Sequence, residues 1–402
     1  LVAWGARPST LTGALVPAIA ALLSIVTLTT LALAMRPHAT ITPFLLAAAL
    51  QTGFLLLIRT RMDAALNGVD RAGRELTMLR AILVRLEAEH FTSPLLVRLA
   101  GELRTGGAPA SALIRGLQRR IELNDSGRNL LFLPVSLLLL WPLQLACVID
   151  RWRARHGHEI ARWIDALAEI ETLGSLAGYA YEHPDDVFPE LVTDGPPRLE
   201  ATGLGHPLLL DARCVRNDLA LGPDLAALVV SGSNMSGKST MLRAVGLNVA
   251  LALAGAPVRA SRLCLTPLAI GASIRIADSL LDGRSHFQAE ILRLKQITDL
   301  GRGALPLLFL LDEILHGTNS HDRCIGSEAV IFHLLEHGAI GLVTTHDLAL
   351  AQITPRAPRP MANVHFEDHV EDGAMRFDYR MRDGIVQKSN ALALMRAAGL
   401  EV

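Results

Sequence analysis

The chain has 402 residues and a mass of 43.3 kDa, enough for two or three domains that each bury a core, which excludes a single small module. Half of the residues are apolar, the mean hydropathy is +0.34 and only 19% are charged, a balance too oily for a disordered chain and oilier than an ordinary soluble one. Lys+Arg 38 against Asp+Glu 39 leave a net charge of -1, so no global basic field points to nucleic acid, and Cys147, Cys214, Cys264 and Cys324 form no C-x-x-C pair, which argues for a reducing compartment and against a disulfide framework or a zinc site.

The first uncharged run extends from Ala14 to Met35 and a second from Ala39 to Ile58, separated by Arg36, Pro37 and His38. Each is near the roughly 20 residues that a helix needs to cross a bilayer, so residues 1–58 are expected to be a transmembrane helical hairpin, with helices at about 14–35 and 39–58. A signal peptide ending at Ala32-Leu33-Ala34 and a buried soluble helix pair are the alternatives; the length of the first run and the presence of a second speak against the signal peptide. Arg59, Arg61, Arg71 and Arg74 follow the hairpin and place both of its ends on the cytoplasmic side. The chain begins with Leu1, and a start upstream of it is expected.

Residues 59–195 read as a helical region. Leu76, Leu79, Ile82, Leu83 and Leu86 recur at helical spacing, and Gly106-Gly107-Ala108-Pro109 punctuates the pattern. Arg115, Arg119 and Arg120 are expected on a solvated face, with a grip on nucleic acid as the alternative. The uncharged run from Asn129 to Ile149 contains Pro134 and Pro142; a single crossing there would separate the arginine-rich stretch before it from the rest of the chain. It is therefore expected to be a buried or membrane-surface helical segment, with a re-entrant or hairpin insertion as the alternative. A further, largely helical stretch is expected from Arg151 to Ala177, ending near Gly178.

Past a Pro-, Gly- and Asp-rich linker, residues 196–402 alternate apolar strands with helices, the pattern of an α/β layer with a largely parallel sheet. Gly232-Ser233-Asn234-Met235-Ser236-Gly237-Lys238-Ser239 fits G-x-x-x-x-G-K-[ST], between an apolar strand and a helical stretch that starts at Thr240. Such a P-loop curls so that backbone N–H groups and the positive end of the next helix meet phosphate oxygens, which makes Gly232 to Thr240 the ATP-binding segment. Lys238 is expected to reach the β- and γ-phosphates and Ser239 to place its hydroxyl on Mg²⁺. The strand Leu307–Leu311 ends in Asp312, the second Mg²⁺ donor, and Glu313, which is placed to activate water. His346 follows a third strand and is expected near the γ-phosphate or the water. His316, His321, His333 and His337 are read as surface or helix residues without a metal-ligand set.

Over roughly residues 160–400 the sequence resembles the ATPase domain of the MutS family of DNA mismatch-repair proteins. The resemblance is carried by His206-Pro207, Val215-Arg216-Asn217-Asp218, the P-loop, Asp282-Gly283-Arg284-Ser285-His286-Phe287 with Glu290, Asp312-Glu313-Ile314 through Gly317-Thr318-Asn319-Ser320 and Asp322, Thr345-His346, Ala362-Asn363-Val364-His365 and Lys388-Ser389. It implies an ABC-class ATPase that uses ATP and Mg²⁺ and works as a homodimer, with Asn319 and Ser320 reaching the partner's nucleotide. Asn319 stands where the family generally has Ser, and Leu315-His316 replaces Gly-Arg. Fewer than 200 residues precede the domain, too few for the family's mismatch-reading domain, and Phe188-Pro189-Glu190 is the one Phe-x-Glu triplet among them.

The expected architecture is therefore an α/β P-loop ATPase domain preceded by an all-α lever-like region and an N-terminal transmembrane hairpin. The expected protein is a short, membrane-anchored MutS-like ATPase on the cytoplasmic face of a bacterial-type cytoplasmic membrane, with Lys238, Glu313 and His346 as catalytic groups and movement of the helical arms as output. A cytoplasmic ATPase that binds mismatched DNA is the alternative by family analogy, although neither charge nor motif supports it. A transporter half is disfavoured, since there is no Leu-Ser-Gly-Gly-Gln signature.

Overall fold

The structure, a computed structural model, describes residues 1–11, 13–126, 132–233, 235–274, 286–371 and 374–386. It divides into two compact units, Leu1–Gly174 and Ser175–Val402.

In the first unit, α1 (Val2–Gly5) precedes two apolar helices, α2 (Leu15–Ala34) and α3 (Thr42–Leu66), which pack against each other across the short link at 35–41. α3 runs on past Ile58, and there Arg59 and Asp63 pair along it at 3.7 Å. The uncharged run after it is not one helix. Pro134 and Pro142 stand in the first turns of α7 (Leu133–Leu138) and α8 (Trp141–His156), and Leu140 between them is left-handed, with φ 47°. Residues 129–131 of that run lie outside the described residues. Gln51 on α3 seals the break: its Nε2 donates to the Leu137 and Leu138 carbonyls at 2.6 and 3.2 Å, and its Oε1 accepts from Thr27 Oγ1 at 2.6 Å. A side-chain amide thus supplies bonds to the chain where the helical ladder is interrupted.

The other helices, α4 (Val69–Ala88), α5 (Pro94–Glu102), α6 (Ala110–Ser126) and α9 (Glu159–Glu182), share with α8 a core of Leu76, Leu83, Leu99, Ile114, Leu117 and Trp163. Of the expected apolar stripe on α4, Leu76, Leu79 and Leu83 are buried while Ile82 is 41% exposed. The Gly106–Gly107 turn closes a two-strand hairpin, β1 (Arg104–Thr105) with β2 (Ala108–Pro109). Asp150, fully buried, accepts from the backbone N–H groups of Thr10 and Leu11 at 3.0 and 2.7 Å and from the Ser9 hydroxyl, and pairs with Arg153. Helical structure continues through Gly178 to Glu182 rather than ending near 178, and the two units divide within α9.

The second unit is built on two sheets. A mixed one has the order β3 (Glu190–Leu191), β7 (Arg262–Leu265), β4 (Leu199–Leu204), β5 (Asn217–Leu221). The larger has the order β12 (Ala374–Asp383), β11 (Met361–Glu371), β6 (Ala227–Ser231), β10 (Ile340–Thr345), β9 (Leu307–Asp312), β8 (Ala269–Ser273). All its pairings are parallel except β11 with β12. α10 (Lys238–Ala254), α11 (His286–Leu300), α12 (Ser320–Glu336) and α13 (Leu348–Ala351) complete the unit. β6 and β10 are buried at every residue, which is why they read as uninterrupted apolar runs. Register then sets the site: Thr344 pairs with Asp312 on one side, and Thr345 with Ser231 on the other. The loop after β6, the carboxylates that end β9 and the residues after β10 therefore emerge together at one sheet edge.

Candidate functional site

The loop from β6 to α10 turns on two glycines. Gly232 has φ 148° and a Cβ there would lie 2.8 Å from Ser236 Oγ; Gly237 has φ 109° and a Cβ would lie 3.1 Å from the Tyr379 ring. Met235, left-handed at φ 71°, is 84% exposed, and Asn234 lies outside the described residues. Lys238, 4% exposed, donates from Nζ to the Gly232 and Ser233 carbonyls at 2.8 Å each and lies 3.4 Å from Glu313 Oε1. Ser233 Oγ and Ser236 Oγ are buried in the same loop without a hydrogen-bond partner among the described residues, a costly arrangement unless a ligand oxygen meets them. Thr240 stands exposed in the first turn of α10.

Ser239 Oγ donates to Asp312 Oδ1 at 3.0 Å, and Thr344 Oγ1 donates to the same oxygen at 2.6 Å. A hydroxyl and a carboxylate converging in this way are hard oxygen donors of the type Mg²⁺ takes, so the residues fit the expected ion. Glu313 departs from the strand in a left-handed conformation, φ 49°, and its N–H donates to the Thr344 carbonyl and hydroxyl at 3.2 and 3.1 Å. Burial pushes its carboxyl up, but the positive charge of Lys238 and the neighbouring His346 and His316 outweigh it and hold the carboxyl below its ordinary range. Glu313 Oε2 lies 3.6 Å from His346 Nδ1 and 3.2 Å from His316 Nε2.

The structure thus brings Lys238, Ser239, Asp312, Glu313 and His346 together. Asn319 and Ser320 stand exposed at the start of α12, where Asn319 caps the helix by accepting from the Asp322 N–H at 2.9 Å. Asp282 to Ser285 and Lys388-Ser389 lie outside the described residues. Glu290 is buried and accepts from the Leu315 N–H at 2.6 Å, fixing the turn after Glu313.

Three groups escaped the sequence reading. Thr344 orients Asp312, a role visible only once β10 is set in register with β9. His316, expected as a plain surface residue, stacks on His346 with ring centroids 4.9 Å apart and contacts Glu313. Beside the glycine loop lies a cleft of about 580 Å³ walled by His206, Leu209, Met235, Met241, Phe366 and Tyr379, a volume suited to a small organic ligand. Asn217 shapes it by donating to the Tyr379 carbonyl at 3.0 Å and accepting from the Met381 N–H at 2.8 Å.

Comparison with known proteins adds an independent line. Residues 228–401 match the family model of MutS domain V. The chain is 33% identical over 242 residues to the DNA mismatch repair protein MutS 2 of Halobacterium salinarum, a match covering 58% of this chain and 27% of that protein. The chain thus corresponds to little more than a quarter of the length of that relative.

Proposed function

We propose that this chain, which belongs to the MutS family through its domain V, is a membrane-tethered, dimeric P-loop ATPase of the ABC class whose nucleotide cycle moves its helical arms. The observation that carries the reading is the convergence of Lys238, Ser239, Asp312 and Glu313 within hydrogen-bond or ion-pair reach at one sheet edge. Lys238 and the loop would take the β- and γ-phosphates, with Ser233 and Ser236 offering two further hydroxyls. Ser239 Oγ and Asp312 Oδ1 would hold Mg²⁺, whose charge would offset that of the phosphate oxygens. Glu313, ionised beside Lys238, would accept a proton from the attacking water, and His346 at its side would hydrogen-bond the phosphate under attack. The base would enter the cleft at Tyr379 and His206.

The membrane assignment rests on α2 and α3, which are long and apolar enough to cross a bilayer by length and composition. Their outward faces carry large apolar side chains, Leu22 at 60% exposed, Ile25 at 61%, Leu46 at 67% and Leu57 at 81%, a surface that suits lipid rather than water. Positive flanks would keep both ends of the hairpin and the ATPase domain on the cytoplasmic side. Dimerisation through the ATPase domain would use Asn319 and Ser320, both exposed.

The test is hydrolysis of ATP by the purified full chain, with and without Mg²⁺. Turnover that requires Mg²⁺ and falls in S239A supports the reading, and absence of nucleotide binding removes it. A second reading, DNA binding, is favoured by the name of the relative, a mismatch-repair protein. Affinity for duplex DNA that falls steeply with salt would support it, because phosphate contacts release counterions.

A further inference from the structure

The turn after β9 assembles more than the nucleotide chemistry uses. Left-handed Glu313 and Leu315, φ 49° and 61°, together with the bond from the Leu315 N–H to buried Glu290, turn the chain so that His316 returns beside Glu313. His316 then stacks on His346, which arrives from the end of β10, with an interplanar angle of 24°. The ligand atoms of Glu313, His316 and His346 all lie within 4.8 Å of one another.

We propose that Glu313, His316 and His346 form a binding site for one first-row transition-metal ion of the Zn²⁺ class, separate from the hard-oxygen donors Ser239 and Asp312. A tetrahedral ion with bonds of about 2.0–2.1 Å holds its donors roughly 3.3 Å apart. The carboxylate oxygen Oε2 lies 3.2 Å from His316 Nε2 and 3.6 Å from His346 Nδ1, close to that spacing. Two imidazoles and one carboxylate select Zn²⁺, Co²⁺ or Ni²⁺ over Mg²⁺, which prefers oxygen and keeps its waters. Lys238 engages the other oxygen of Glu313, Oε1, at 3.4 Å, which orients Oε2 toward the histidines. The site opens to solvent through both imidazoles, 36% and 43% exposed, and Cys324 lines the same small cavity.

Metal binding itself needs no nucleotide. Its consequence rests on the proposed role of Glu313: an ion on Oε2 takes the carboxylate away from water and stops turnover, so the site is inhibitory.

The experiment titrates the metal-stripped full chain with Co²⁺ without nucleotide and follows the visible d–d absorption, then repeats this for H316R and H346A after confirming by thermal unfolding that each is folded. The expected result is one tetrahedral Co²⁺ per wild-type chain, displaced by Zn²⁺, with affinity weakened in both variants by at least roughly tenfold, the smallest loss seen even for outer-sphere partners. Wild-type binding with no tetrahedral absorption, or binding unchanged in both folded variants, overturns the proposal. Mg²⁺-ATP turnover of the metal-stripped wild type is measured in parallel. If turnover is absent while Co²⁺ binds, the nucleotide reading fails and the metal site stands; if turnover proceeds but Co²⁺ does not bind, the metal site fails alone.

Discussion

Lys238 and Glu313 face each other across the sheet edge, Nζ 3.4 Å from Oε1, while the same ammonium donates to the carbonyls of Gly232 and Ser233. The loop after β6 and the carboxylate that ends β9 are thereby linked, although β10 lies between their strands. Replacing Lys238 with Ala removes both the donor proposed for the phosphates and the charge that most strongly opposes the effect of burial on Glu313. ATP turnover is expected to drop by about 10²–10³-fold, the usual cost of one preorganised donor to a developing charge. Steady-state kinetics check it, and a K238A variant at wild-type rate would contradict it.

Arg259 is a buried cation of the second unit. It is 4% exposed and pairs with buried Asp186 at 3.1 Å and with Asp211 at 2.6 Å, while Asp186 also accepts from the Tyr179 hydroxyl at 3.0 Å. Asp186→Ala leaves the guanidinium with exposed Asp211 and the Leu209 carbonyl, and about 3 kcal/mol of stability should be lost. Urea unfolding monitored in the second unit measures it.

The same network sets a pH response. Burial, then the hydrogen bond to Asp186, pushes the Tyr179 phenol up to about 12. A group whose folded value is raised binds its proton more tightly when folded, so its contribution is complete below the unfolded value of about 10 and is lost as pH rises from there through 12. Phenolate absorbance of the folded protein should therefore show a late step near pH 12, and Y179F should remove it.

The lipid contact proposed for the hairpin predicts a graded effect of charge. Leu22 and Leu46 point outward from α2 and α3. Arginine at either should cost about 2.5–3.5 kcal/mol of insertion if the helices span the bilayer. Sedimentation with membranes should then fall for L22R and L46R and hold for T60R, a polar exposed position on the same helix as Leu46. Equal membrane retention for all three variants would speak for helices that lie outside the bilayer.

The site was legible where buried strands deliver it. β6, β9 and β10 read as apolar runs because both faces are covered, and the residues at or just past their ends, Gly232, Asp312 and His346, could be placed from that alone. What depends on register or on left-handed backbone was hidden. Thr344 meets Asp312 only through the β9–β10 pairing, and His316 returns to Glu313 only because Glu313 and Leu315 take positive φ, which residue type does not announce. The same holds in the first unit. An uncharged run of helical length was plain, but the bend at Leu140 and the amide of Gln51 that seals it arise from tertiary contact. Tyr379 entered the cleft wall through Asn217, far away in sequence, and no local pattern marks that pairing.

Activation of water by Glu313, for an ATP held by the glycine loop, is the step on which the proposed function turns. Its most direct measurement is a comparison of wild type and E313Q in the full chain, with ATP binding read by equilibrium dialysis and phosphate release read in single turnover. E313Q is expected still to bind ATP while phosphate release falls by about 10²–10⁴-fold, the range for loss of a general base. Phosphate release from E313Q at the wild-type rate would contradict it.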